Sequence, residues 1–361
     1  MRIFYLDVVK AVAILMVLFG HATSVVPYTE RNLFPMCTDY QITQLCNGLF
    51  IMASGALVLP SQIERGYPMC WRRVLKFLLL AAFWSMATNS VYYCLMEGMM
   101  TWEAVCQAAI RNNFILNGSA GAAGQMWFIS IISCLYLAAP YVAKMADGMP
   151  LGRIALFVLM GILLYLVPGT LNYDGNFHSV LNPDTQHLWV RYDFFGVYAG
   201  WFLAGYAFRV HGREIEVAVR KVVPCPVMAG ILFVVLAAMA AGYAESRVLG
   251  DRMMFHPSFQ NYYSSLSLYV NSIVLFYVLK NMADRLLPIR RMVEYLSLHS
   301  FSIFLMHMCF LFPWLRLVVD TELYSNYPCI VIATGFIVLL AASLLLIYIM
   351  SLCRVGRFWL R

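Results

Sequence analysis

The chain has 361 residues, 62% of them hydrophobic and only 12% charged, with 25 Lys and Arg against 18 Asp and Glu, a formal net charge of +7. A soluble protein of this length carries about a quarter charged residues, so this much apolar surface needs lipid to face. No polar stretch is long enough to enclose its own core, which excludes a separate soluble domain, and the chain reads as one membrane domain over 1–361.

A spanning helix needs about 20 mainly apolar residues. In chain order the sequence predicts ten: 8–26, 45–60, 74–96, 125–143, 154–168, 193–208, 223–243, 263–279, 299–318 and 328–352. The fold class expected is therefore all-α, a polytopic membrane helical bundle. Lys and Arg give its orientation, because loops on the cytoplasmic side hold them in excess. With the N-terminus inside, only Arg31, Arg111, Arg191, Arg247, Arg252 and Arg316 fall on the outer side; the other 19 of the 25 fall inside. Both termini are then cytoplasmic. The positive charge is thus a topology signal, and nothing separate supports a nucleic-acid partner. The first apolar run could be mistaken for a signal peptide, but Asp7 and Lys10 interrupt its start and no small-x-small cleavage site follows.

Ten cysteines are present, none in a C-x-x-C pair, so neither a zinc site nor a redox motif is expected. Cys37 and Cys46 stand close enough for a disulfide, yet nothing asks for one. Small apolar residues of a membrane fold account for all ten.

Ionisable residues inside a membrane helix are costly and mark function by default. The first span holds three. Asp7 and Lys10 are i,i+3 neighbours that can pair. Lys10 and His21 are eleven residues apart, within about 20° on a helical wheel, and His21 lies about 16 Å further along the axis. The same face thus presents a cation at one end and an imidazole towards the other. Plain readings stand beside this one: Lys10 as a snorkelling anchor, His21 as a hydrogen-bonded packing residue.

The spacing of Arg2, Leu6-Asp7, Lys10, Ala13 and His21 resembles the opening of the acyltransferase-3 family of membrane acyltransferases, with a basic residue, ten residues and then His. Further stretches resemble that family in order. Leu49 to Leu57 is similar to its F-F-x-x-S-G-x-L helix, and Arg72, Arg73 and Lys76 to its basic cluster opening the third helix. Met126-Trp127-Phe128-Ile129 with Leu135-Tyr136-Leu137 and Pro140 is similar to L-W-F-L…Y-L-x-x-P. Phe202 to Tyr206 is similar to F-x-x-G-Y, and Ser300 to His307 to S-x-G-I-Y-L-x-H. Gln125 stands where many members have His, Ser302 replaces the common Gly, and Phe304 the Tyr.

The resemblance implies transfer of an acyl group, acetyl or succinyl, from cytosolic acyl-CoA to a hydroxyl of an envelope glycan or glycolipid, in a bacterial inner membrane. The acyl-CoA is a co-substrate; no permanent cofactor and no metal are expected. His21 is the candidate catalytic residue, as general base or as transient acyl acceptor. Arg72, Arg73 and Lys76, with Lys10 deeper, are candidates for the donor's phosphates, and Asp7 would orient Lys10. For Arg72 and Arg73 the plain reading is topology and lipid headgroups. Ser54 would admit substrate beside Gly55 or pack small against a neighbouring helix. Trp127 would line the cavity or simply pack. His307 is a second buried polar candidate, with a hydrogen-bonded structural His as its plain reading. Residues 169–192, rich in aromatic, amide and acid side chains, suit a sugar or an interfacial belt. Membrane lipid is a further partner, and self-association is left open. The rival class is a transporter or flippase of an envelope precursor, without covalent chemistry.

Overall fold

The computed structural model describes residues 2–27, 29, 32–99, 101–113, 115, 121–163, 197–252 and 266–360, side chains 247–252, 355, 357 and 359 excepted. The candidate outer loop 169–192 lies outside them. Every regular element among the described residues is helical. In hydrocarbon this follows from the backbone, whose polar groups must be paired within the segment itself.

Among the described residues, seven stretches are long and apolar enough to cross a membrane: Phe4–Ser24, Leu33–Glu64, Trp71–Leu95, Gly121–Ala146, Pro226–Ser246, Leu266–Met306 and Pro328–Ser351. Leu151–Gly161 and Met308–Val318 are shorter apolar helices. The predicted spans 154–168 and 193–208 both run into residues outside the description.

We number the helices used below α1 (Phe4–Ser24), α2 (Leu33–Thr43), α3 (Leu45–Glu64), α4 (Trp71–Leu95), α5 (Trp102–Arg111), α6 (Trp127–Ala146), α7 (Leu151–Gly161), α8 (Ala199–Val210), α9 (Gly212–Val222), α10 (Pro226–Arg252), α11 (Leu266–Met282), α12 (Arg290–Met306), α13 (Met308–Val318), α14 (Glu322–Asn326), α15 (Pro328–Ser351) and α16 (Arg354–Leu360). Helix α1 is the hub, packed against α2, α3, α11, α12 and α15. Helix α3 lies among α1, α6, α8 and α11.

The closest approach in the bundle is between α3 and α8. A methyl group on Gly55 would collide with the backbone carbonyl of Phe202, and one on Gly205 with that of Met52. Two small residues thus let two backbones touch, the usual way membrane helices gain packing when no hydrophobic effect drives them together. The S-G and F-x-x-G-Y stretches are two halves of one helix crossing.

Three local features depart from the sequence reading. Residues 33–43, taken as loop, form α2, whose Met36, Cys37, Tyr40, Gln41 and Thr43 are buried. Cys37 on α2 and Cys46 on α3 are buried, unbridged thiols. Residues 212–222, also taken as loop, form α9, an amphipathic helix carrying the i,i+4 pair Glu216–Arg220 at 2.9 Å. Lastly, the predicted span 299–318 is divided at His307 into α12 and α13. The backbone there stays helical (φ −58°, ψ −33°). The ladder is interrupted where the His307 ring takes up the Phe304 carbonyl, while the Ile303 carbonyl still accepts the His307 amide at 3.0 Å; Pro313 lies further on, within α13.

Candidate active site

Two polar clusters lie along α1, one at each end. At the near end, where α1 begins, Asp7 is only 3% exposed. Its carboxylate accepts from Arg2 Nε at 2.7 Å and Nη2 at 3.3 Å and from Ser297 Oγ at 2.5 Å, and Lys10 Nζ stands 3.6 Å away. Arg2 also donates to the Glu294 carbonyl at 2.8 Å. The i,i+3 pairing of Asp7 with Lys10 is therefore present, and Asp7 additionally fastens α1 to α12. Charged neighbours of Lys10 are Asp7 and Arg2.

At the far end the His21 and His307 rings meet, with centroids 4.9 Å apart and planes inclined at 45°. His307 is completely buried. Its Nδ1 lies 2.8 Å from the Phe304 carbonyl and 3.1 Å from that of Ile303. Carbonyls only accept, so Nδ1 carries the proton and Nε2 keeps its lone pair. That Nε2 is buried and has no partner among the described residues. Leaving such a group unpaired costs about 1–3 kcal/mol. His21 is half-buried. The pair thus offers a bare acceptor nitrogen beside a second imidazole, an arrangement able to take and return a proton.

Between the two clusters Tyr136 of α6 has the side chains of Ser54 and Arg73 as partners. Its ring also packs on Phe77 at 5.4 Å and under the Arg73 guanidinium at 5.5 Å. Phe77 in turn touches Phe301 at 5.0 Å.

The structure therefore brings together Asp7 with Lys10, His21 with His307, and Ser54 with Arg73. It does not gather Arg72, Arg73 and Lys76 into one patch. Arg72 lies over the Trp71 ring at 5.4 Å, and Lys76 over that of Phe358 in α16 at 5.2 Å. Helix α16 is held there by the Ser302 hydroxyl, which donates to the Leu360 carbonyl. On a helix, positions i, i+1 and i+4 point in two directions, which divides the run. Trp127 packs beside Phe128 and, at 6.5 Å, Tyr198.

Sequence reasoning missed Ser297, Glu294 and Tyr136 as site neighbours. Tyr136 lies inside a stretch already singled out, so a signal existed. Ser297 and Glu294 are an ordinary polar pair in a helix start and carry none.

Helices of spanning length packed around two polar clusters mark an integral membrane protein. The family whose description is acyltransferase domain matches residues 3–352. The chain belongs to the acyltransferase-3 family and is, by that membership, a membrane acyltransferase. Neither the curated proteins nor the solved structures give a match.

Proposed function

We propose that the protein moves an acetyl or succinyl group from cytosolic acyl-CoA to a hydroxyl of an envelope glycan or glycolipid, in a bacterial inner membrane with both termini cytoplasmic. The observation that carries this reading is the His21–His307 pair with its bare Nε2, within a chain of acyltransferase family.

The chemistry runs as follows. His21 takes the proton from the acceptor hydroxyl, whose oxygen attacks the thioester carbonyl carbon. A C–O bond forms and the C–S bond breaks. The leaving thiolate takes the proton back from the imidazolium and departs as free CoA thiol. Histidine suits both transfers because its unperturbed proton affinity lies near neutral pH. If His21 instead carries the acyl group, its ring nitrogen forms a C–N bond as the C–S bond breaks and the CoA thiolate leaves with the imidazole proton; the acceptor oxygen then forms the C–O bond as the C–N bond breaks, its proton returning to the ring. His307 holds His21 in place and receives or relays the proton through Nε2. The donor's phosphates lie towards Lys10 and Arg73, and Ser54 and Tyr136 line the way between.

The test is product formation by protein purified in detergent, with acetyl-CoA and succinyl-CoA as donors and membrane insertion checked for each variant. Acyl transfer by the wild type, lost in His21→Ala, supports the reading. Transfer undiminished in His21→Ala removes His21 from the chemistry. A folded wild type that binds neither CoA ester and transfers nothing favours the transporter reading.

A further inference from the structure

Among the described residues several buried side-chain atoms lack a hydrogen-bond partner, and Gln125 is the side chain that has two of them. Gln125 is 4% exposed, and both its Oε1 and its Nε2 are enclosed without a hydrogen-bond partner among the described residues. A buried primary amide that is wholly unpaired forfeits the hydration of a donor group and an acceptor at once, with no return from the protein. Native structures keep few such groups, and each asks for a reason.

Its surroundings are well fixed. Gln125 belongs to the 3₁₀ turn Gly121–Met126 that leads into α6. That turn is tied to α4 by the Ala122 amide, which donates to Asn89 Oδ1 at 2.9 Å, and Asn89 is bound in turn to the Asn112 carbonyl at 2.8 Å. The amide is therefore held on a built turn.

Ring contacts locate it relative to the histidines. Phe77 touches both Tyr136 of α6 and Phe301 of α12, while Phe128 of α6 touches Phe304 of α12 at 5.6 Å. Passing from 301 to 304 on α12 thus means passing from 136 to 128 on α6, so the two helices run antiparallel. Three residues beyond Phe304 is His307. Three residues back from Phe128 is Gln125. Each step is about one helical turn, and both lead towards the far end. Gln125 and His307 therefore share a level on two contacting helices, each on the side of its helix that bears the joining ring.

We propose that Gln125 contacts the substrate, its Nε2 donating to the acyl carbonyl oxygen where negative charge gathers as the acceptor oxygen attacks. This rests on the transfer reading above. An amide donor at the level of the histidine pair would supply what proton transfer does not: stabilisation of the oxyanion. Its unpaired state in the empty protein is then the cost of being ready.

The variants Gln125→Leu and Gln125→His test it, by steady-state transfer and by thermal unfolding of the same detergent preparation. Removing an unpaired amide relieves burial, so Gln125→Leu is expected to unfold at or above the wild-type temperature while kcat falls about 10²–10³-fold. Gln125→His, which restores an N–H donor, is expected to regain at least ten-fold of that loss. Wild-type turnover in Gln125→Leu would overturn the proposal. So would an unfolding temperature several degrees below wild type, which would give Gln125 a structural role. Failure of the underlying transfer reading is seen separately, as a wild type that transfers no acyl group before any variant is made.

Discussion

The two ends of α1 carry polar residues of similar cost and opposite condition. At the near end Asp7 is saturated: two bonds from Arg2, one from Ser297 and a cation at 3.6 Å. At the far end His307 Nε2 and both amide atoms of Gln125 have no hydrogen-bond partner among the described residues. A satisfied buried group ties helices together and is spent on structure. An unsatisfied one is a standing cost that only a ligand offsets. The contrast separates a polar cluster that ties α1 to α12 from polar groups, on other elements, that are left open to a ligand.

Substitutions at the two ends should therefore separate stability from activity. The largest effect expected is from His21→Ala, which should lower transfer about 10³-fold or more while unfolding near the wild-type temperature, measured on the same preparation. An unfolding temperature far below wild type would place His21 with the structural group.

Asp7→Ala should act in the opposite sense. Removing one member of a buried ionic cluster strands its partners, and the cost should be about 2 kcal/mol, less than for a fully enclosed pair because Arg2 is 44% exposed. Denaturant unfolding in detergent reads it. A loss of activity with unchanged stability would erase the distinction drawn between the ends.

His307→Leu tests whether the break between α12 and α13 is made by the imidazole. Without it the Phe304 carbonyl is free to accept from the Met308 amide and the ladder closes. Transfer should fall about 10–100-fold, stability should hold, and hydrogen exchange at Met308 should slow. Faster exchange there would mean that Pro313, not His307, sets the break.

The smallest effect belongs to Ser297→Ala. It removes one of several bonds to Asp7, so a loss of about 1 kcal/mol is expected, with kcat within two-fold of wild type. A kcat change exceeding the stability change would draw Ser297 into the chemistry.

Much of the architecture was legible in the residues because membrane burial leaves a local mark. Runs of apolar residues long enough to span, the i,i+3 pairing of Asp7 with Lys10 and the shared face of Lys10 and His21 all follow from helix geometry over short separations. So does the small-residue helix contact read at Ser54-Gly55, though not that Gly205 of α8 would stand opposite it. What is set over long separations was not legible. The meeting of His21 with His307 joins opposite ends of the chain, and no periodicity in either segment names the other. The basic run at 72–76 reads as one patch on paper. It divides in space because α6 and α16 each claim a different side of α4. Helices α2 and α9 escaped notice because, at 11 residues each, they are too short to look like spans; packing buries five side chains of α2, whereas α9 buries none. The sequence thus determined that the chain is a helical membrane protein and which family chemistry to expect. The tertiary structure decided which polar groups find partners there, since that depends on how distant helices pack and not on any one helix alone.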